Sequence, residues 1–416
     1  MWSNLSASNM GVRILAALRD LDPPAGGAEM SLATLLKGMS NAGPYAEDAP
    51  EYIPLEIAPD AENQEGWSVH VFQSSDRGDS TALTDDSLLA RNTGPLPVES
   101  LWSGLAWRLR KKSTGRPHAG LHRRHLRKRN RTFKQWLMPQ LENEKKEALD
   151  NGEQLLGVTQ LHWSAGAAAA FEEMGIPYLV FVRDELQFIH TELYRDSLES
   201  AASVCGAGHG LLQQIEGVFD LRKSSHVPLP VDFAGRFGTT IPVREHEDSQ
   251  NPRIAIIGVT PEKGYGLYRK LLPHLHQHWP EAQIDIYGGG GYVDALSNHP
   301  NVTCHGHTPV SDVFTQCDIH LLTVESTGSW GRVINEAGLF GIPSVSVEIG
   351  AQPEAVGPGG CIVGADAQLD EWVAALRDCY ARRAELGELA RQHAKVIDHR
   401  RSIAMFRSVI RDVLKL

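Results

Sequence analysis

Cysteine is scarce in this chain of 416 residues: there are five. Cys205, Cys304, Cys317, Cys361 and Cys379 are odd in number and show no Cys-x-x-Cys spacing. That pattern suits reduced thiols in a cytosolic protein better than a disulfide framework or a thiolate zinc site. Long apolar runs are also missing, and none reaches the roughly 18 residues that a membrane-spanning helix needs. The run 12–18 is too short for a signal-peptide core and meets charge at once, so it reads as a first β-strand. Residues 1–9 are polar and read as an unstructured extension. Positive charge is in deficit overall, the formal net charge being -11, which argues against a generic nucleic-acid binder.

What is present is apolar material for large cores: 42% of residues are hydrophobic and 22% charged, which excludes wholesale disorder. At roughly 150 residues per domain the length corresponds to two or three domains. Short β-branched runs alternate with longer helical patterns, the signature of βαβ units and parallel sheets. The first half places strands at 12–18, 67–73, 158–162 and 178–182, with helices from Gly27 and Ala165. A second series runs 253–258, 283–287, 301–305, 318–324 and 344–349. Between them, 234–251 is polar, charged and contains Pro242, and reads as a linker. Residues 41–65, rich in Pro, Ala and acidic groups, read as loop. The pattern implies two Rossmann-like domains with a cleft between them. At the end, Ile403, Phe406, Val409, Ile410, Val413 and Leu414 share one helical face, with Arg407, Arg411 and Lys415 on the other.

Several loops suit anion binding. Gly26 and Gly27 follow the first strand at the mouth of a helix, where backbone N–H groups and the helix dipole favour phosphate. Glycines serve as plain turns about as often. Gly258-Val-Thr-Pro-Glu-Lys-Gly264 follows the first strand of the second half, and Lys263 there suits a diphosphate, or equally a solvated surface position. Gly288–Gly291 again follows a strand. Ligands of open α/β sheets bind at such strand ends. A fourth segment joins Trp330, Gly331 and Arg332 to a helix whose second turn presents Glu336, a carboxylate that can accept both ribose hydroxyls or merely support the helix surface.

In their order along the chain these residues resemble the family-4 retaining glycosyltransferases of the GT-B fold. The resemblance covers most of the chain and rests on Gly26-Gly-Ala-Glu29, His162 in Leu161-His-Trp163, Gly175-Ile-Pro177 and Arg183-Asp184. It continues through Pro228-Leu-Pro-Val-Asp-Phe233, Lys263-Gly264, Gly288-Gly-Gly290, Trp330-Gly331, Glu336-Ala337, Gly341-Ile-Pro343 and Pro353-Glu354.

The resemblance implies an α/β GT-B architecture of two Rossmann-like domains facing across a cleft. Residues 1–233 form the acceptor-binding domain with a basic insertion at about 100–141, 234–251 the linker and 252–399 the nucleotide-sugar domain. Residues 400–416 form a helix returning to the first domain. The implied activity is transfer of a sugar from a nucleotide diphosphate sugar to a saccharide or lipid-linked acceptor, with retention, without metal or other cofactor. His162, Lys263 and Glu336 are the implied catalytic set. Gly26, Gly27, Lys263, Gly290, Trp330, Gly331, Arg332 and Glu336 bind the donor: Lys263 and the Gly331 backbone hold its diphosphate, Glu336 the ribose, and His162 lies near the transferred sugar. The chemistry asks mainly for stabilisation of a leaving diphosphate and an oxocarbenium-like centre.

Two positions depart from the family pattern: Val259 stands where an Arg is frequent, and Gly328, eight before Glu336, stands where a second Glu is expected. Glu325 is three residues out of register. A catalytically impaired GT-B-like binding protein is therefore the alternative.

Between Leu101 and Leu141 lie twelve Lys/Arg and no Asp/Glu. Trp102, Arg108, Arg124, Arg127 and Lys128 mark this segment as an acceptor or anionic-membrane surface, against the alternative of a solvated excursion. The expected location is cytoplasmic, peripheral on the inner face of the membrane; no nucleic-acid partner is expected.

Overall fold

A computed structural model of the chain describes residues 11–19, 21, 27–40, 67–75, 90–95, 119–183, 191–238, 240–244, 251–261, 263–324 and 330–416. The loop 41–65 and residues Gly26, Trp102, Arg108, Glu325 and Gly328 lie outside them.

The first sheet contains β1 (Val12–Arg19), β2 (Trp67–Ser75), β3 (Ala90–Pro95), β4 (Gln154–Gln160), β5 (Tyr178–Val182), β6 (Ser203–Gly206) and β7 (Ser224–His226). They lie in the order β3-β2-β1-β4-β5-β6-β7, every pairing parallel. The second contains β8 (Arg253–Ile257), β9 (Gln283–Tyr287), β10 (Val302–Gly306), β11 (Ile319–Leu321), β12 (Ser344–Val347) and β13 (Gly360–Val363). Its order is β10-β9-β8-β11-β12-β13, again all parallel.

Both sheets are covered on two faces, because side chains alternate along a strand and each set needs its own cover. In β1, Val12, Ile14, Ala16 and Leu18 pack with Leu32, Leu35 and Leu36 of the helix Gly27–Lys37 and with Ile403, Phe406 and Ile410 of the last helix, His399–Leu414. Leu15 and Ala17 face the opposite layer, where Phe133, Leu137, Leu141 and Phe171 fill the core. In β8, Ile254 and Ile256 meet Tyr268, Leu271, Leu275 and Trp372, whereas Ala255 meets Phe314, Ile334 and Phe340.

The final helix therefore packs on the first sheet, with the ring of Phe406 5.2 Å from that of Phe181. Arg407 departs from the sequence expectation. It is buried, its guanidinium lies 4.6 Å over the Trp67 ring, and it donates to the Gly38 carbonyl at 3.4 Å. A long side chain can bury its stem and satisfy its head internally, which helical spacing does not register.

The described part of the basic segment is helical: residues 119–141 belong to one helix, Ala119–Asn151, that carries Pro139 within it. Leu126, Asn130, Phe133, Leu137, Leu141, Glu144 and Ala148 form its buried stripe. Those residues recur every three or four positions, the period of a helix. Asn130 accepts from the Gly166 N–H at 2.8 Å, and a Cβ on Gly166 would lie 2.4 Å from the Asn130 carbonyl oxygen. Only glycine permits this approach to the helix Leu161–Met174. Farther along, the buried Arg13 of β1 meets Glu144 at 2.7 Å, Glu147 at 2.9 Å and Glu153 at 2.6 Å. Burial alone would raise the Glu144 carboxyl, but the bonds from His70 and Arg13 prevail and hold it below the usual carboxylate range.

The segment 234–251, expected as a linker, is structured over its described part. Helix Phe233–Phe237 starts where Asp232 accepts from the Gly235 N–H at 2.8 Å. Ile241 enters the second core, and the Arg244 guanidinium meets Asp318 at 3.1 Å. The chain passes between the halves twice, side by side: Val231 donates its N–H to Ile397 at 2.8 Å and accepts from His399 at 3.1 Å. No helix among the described residues is long and apolar enough to cross a membrane.

Candidate functional site

Each sheet has one topological switch point, where neighbouring strands send their connections to opposite sides and leave a crevice at their C-terminal ends. In the first sheet it lies between β1 and β4. After β1 comes the helix beginning at Gly27, and after β4 the helix Leu161–Met174. His162 is thus the second residue of a helix, not the end of a strand, because β4 pairs with β1 from Gln154 and ends at Gln160. The backbones of Gly27 and His162 start the two helices at this crevice; their side-chain environments lie outside the described residues. Gln160 donates to Glu29 across it at 3.5 Å.

In the second sheet the switch point lies between β8 and β11. After β8, Gly258 and Gly264 adopt positive φ, and Gly264 caps the helix Tyr265–His278. Lys263 is exposed, and its ammonium folds back over Gly258, where an added Cβ would lie 3.4 Å from Nζ. Gly288 packs against Gly258, and Gly290 caps the short helix Gly291–Asp294. Lys263 and this glycine loop are therefore neighbours at one sheet edge.

On the other flank Trp330 is buried and donates its indole N–H to Asn335 at 2.7 Å, which fixes the turn into the helix Val333–Leu339. Gly331 has φ 68°, and an added Cβ would press on Leu322 and Gln352 at 2.9–3.0 Å. Glu336 stands in the first turn of that helix, one turn earlier than the sequence implied, because the helix starts only at Val333.

Glu336 is 1% exposed. Its Oε1 lies 3.3 Å from Arg236 and 3.5 Å from Arg332, yet accepts no hydrogen bond among the described residues. Burial raises its pKa, and the two arginines offset only part of that. Burial likewise lowers the pKa of Arg332. Both partners thus hold their charge less readily than in water, so this is an under-solvated carboxylate awaiting better donors. Arg236 was not singled out in the sequence. The signal that placed it was Asp232-x-x-Gly235, a helix cap at the boundary of what read as linker.

The two switch points face one another. Arg332 reaches the sulfur of Met30, on the helix that follows β1, at 3.7 Å. Glu354 of the helix Gln352–Val356 accepts from the backbone N–H groups of His209 and Gly210 at 2.8 and 2.6 Å. Arg124, Arg127 and Lys128 are exposed on the helix Ala119–Asn151 and are not among the groups that meet at the crevice.

The side of this cleft that carries Lys263 and Glu336 has known kin. Residues 251–382 match the family of glycosyl transferases group 1. The matched stretch holds β8 through β13 and every donor-side residue named above except Gly26 and Gly27. No curated protein sequence matches the chain. Among solved structures, a sucrose-phosphate synthase from Thermosynechococcus elongatus superposes with a TM-score of 0.63 at 15% identity, over 97% of this chain and 99% of that one. The apo lipopolysaccharide outer core galactosyltransferase WaaB gives 0.63 at 16% identity, over 97% and 100%. Anabaena HepE in complex with UDP and glucose gives 0.55 at 14% identity, over 97% and 100%. The α/β GT-B fold expected from the sequence is the fold observed, with seven strands in the first sheet and six in the second.

Proposed function

We propose that the chain is a retaining glycosyltransferase that moves a sugar, of the hexosyl class, from a nucleotide diphosphate sugar to a saccharide or lipid-linked acceptor in cell-envelope glycan or glycolipid synthesis. The observation that carries this reading is the convergence of Lys263, the Gly288–Gly291 loop, Gly331 and Glu336 at one switch point within the group 1 domain. Similarity to a structure holding UDP and glucose adds to it. In this reading the Lys263 ammonium and the Gly331 N–H stabilise the leaving diphosphate, with no metal there. Ribose hydroxyls donate to Glu336 and displace Arg332 and Arg236, whose guanidiniums then face the phosphates. His162 and Gly27 approach the transferred sugar and phosphate from the first sheet.

A thermal-shift panel with UDP, GDP, ADP, CDP and TDP, each with and without magnesium, tests this. One nucleotide at about 100 times its dissociation constant is expected to stabilise the fold by roughly 2.7 kcal/mol, independently of magnesium. No shift with any of them would sink the donor site.

The arginine-engaged state of Glu336, with Val259 and Gly328, favours a second reading: a catalytically impaired GT-B-like protein that binds nucleotide or glycan. Nucleotide binding without transfer or donor hydrolysis would select it.

The exposed Arg124, Arg127 and Lys128 support peripheral contact with the inner face of an anionic membrane. Each basic residue at such a surface contributes about 1 kcal/mol. The triple change Arg124→Gln, Arg127→Gln, Lys128→Gln is expected to cut partitioning onto phosphatidylglycerol vesicles by roughly 100-fold. Equal co-sedimentation of variant and parent would refute membrane docking through this face.

A further inference from the structure

Where the halves touch, His209, His226 and Glu354 bring one ligand atom each within 4.8 Å of one another. We propose that this trio is a binding site for a divalent transition-metal ion of the zinc class, held jointly by the two sheets and separate from the diphosphate loops.

Four observations carry it. The donor set, two imidazoles and a carboxylate, is one that zinc accepts, with a fourth position left for water or a ligand oxygen. Glu354 is already positioned: its two oxygens accept from the His209 and Gly210 N–H groups, and each carboxylate oxygen has a further lone pair to offer. The ring centroids of His209 and His226 lie 4.1 Å apart, tilted by 42°, so the two imidazoles already adjoin. Finally, His226 Nε2 lies 3.2 Å from the Ala207 carbonyl oxygen. A ring that donates Nε2–H there keeps its Nδ1 lone pair for a metal, the arrangement by which ligating histidines are usually oriented.

Tetrahedral zinc with bonds near 2.1 Å sets its ligand atoms about 3.4 Å apart. Side-chain rotation supplies the contraction, since His209 is exposed and the other two are half-buried.

The site has a mechanical meaning. His209 starts the helix that follows β6, His226 ends β7, and Glu354 belongs to the second half. Gly208 and Gly210 make the approach possible, because an added Cβ would lie 2.9 Å from Ala351 and 3.2 Å from the Gly350 carbonyl oxygen, respectively. A bound ion would clasp the halves at this contact.

The test titrates untagged, chelator-stripped full-length protein with zinc chloride by calorimetry. The expected result is one site per chain with a dissociation constant of about 1 µM or below. His209→Ala, an exposed position, and His226→Gln are each expected to weaken it by more than roughly 100-fold. His274→Ala serves as the control: with His278 and Asp370 it forms a second cluster, in which the Asp370 side chain is 81% exposed. The control is expected to leave the tight site unchanged. Matching unliganded melting transitions for parent and variants separate ligand loss from misfolding. The proposal is overturned by the absence of tight binding, by binding that survives both His209→Ala and His226→Gln, or by binding lost only in His274→Ala.

Discussion

Glu336→Gln is expected to weaken nucleoside diphosphate binding by roughly 10- to 100-fold while leaving the unliganded fold as stable as before or more so. The two halves of that expectation have different causes. Hydrogen bonds to a charged acceptor are each worth about 1.5–3 kcal/mol, and glutamine keeps the shape while losing the charge. The stability half follows from the raised pKa of Glu336. A raised carboxyl contributes stability that is fully present below its unfolded pKa, near 4.5, and lost as pH rises through its folded value. At neutral pH the ionised side chain is therefore a burden on the empty protein, and glutamine removes it. The two arginines left behind are each about one-third exposed and can hydrate. Calorimetric titration with the nucleotide selected by the panel, together with the melting temperature, checks both halves. Unchanged affinity would refute the ribose assignment, and a large drop in melting temperature would mean that the ion pairs hold the fold.

Acid is expected to weaken the second half through a single side chain, His320. It lies in β11 between β8 and β12, fully buried, with Ser344 Oγ 3.1 Å from Nδ1 and the Phe314 ring edge-on at 5.8 Å. Burial, aided by the Lys263 charge, pushes its pKa down to about 3. The unfolded chain takes up a proton near pH 6.5 that the folded chain refuses. The stabilisation is thus present above pH 6.5 and falls away as pH drops from there toward 3. Over that window the loss reaches up to about 5 kcal/mol, with a slope approaching 1.4 kcal/mol per pH unit. His320→Leu, which cannot take up that proton, is expected to flatten the slope whatever it does to stability at pH 7. Urea unfolding at pH 7, 6, 5 and 4 measures both slopes; parallel lines for parent and variant would refute the assignment.

How much of this was legible in the sequence depends on what each element needs. Strands buried on both faces announce themselves as apolar runs, so Tyr178–Val182 and Gln283–Tyr287 were placed at their observed bounds. Ser203–Gly206, Ser224–His226 and Gly360–Val363 were missed, since they are three or four residues long, rich in Ser, Gly and Cys, and defined by neighbours already in the sheet. The strand before His162 slipped because Leu161 continues its apolar run, although the Ala-rich stretch beyond it starts the helix at that same residue. In the long helix Ala119–Asn151, dense positive charge and Pro139 masked a regular buried stripe. At the candidate site, Gly27, Lys263, Gly290, Gly331 and Glu336 were readable because strand-to-helix loops carry a local pattern. Arg236 was not, since it meets Glu336 across a hundred positions. The His209, His226 and Glu354 trio is equally non-local.

The helix that closes the first core carries a consequence for synthesis. Ile403, Phe406 and Ile410 pack among Val12, Ile14, Leu32 and Leu36, so the earliest and latest of these residues are translated almost four hundred codons apart. The second sheet, by contrast, is built from one uninterrupted stretch, β8 to β13. A nascent chain extended to Ile397 holds all strands of the second sheet, while the first lies open along the face of β1 that the last helix must cover. The core of the half made first is thus completed only by residues made after every strand of the second sheet. Until the final helix leaves the ribosome, the apolar face of Val12, Ile14, Ala16 and Leu18 is a surface for chaperones to shield.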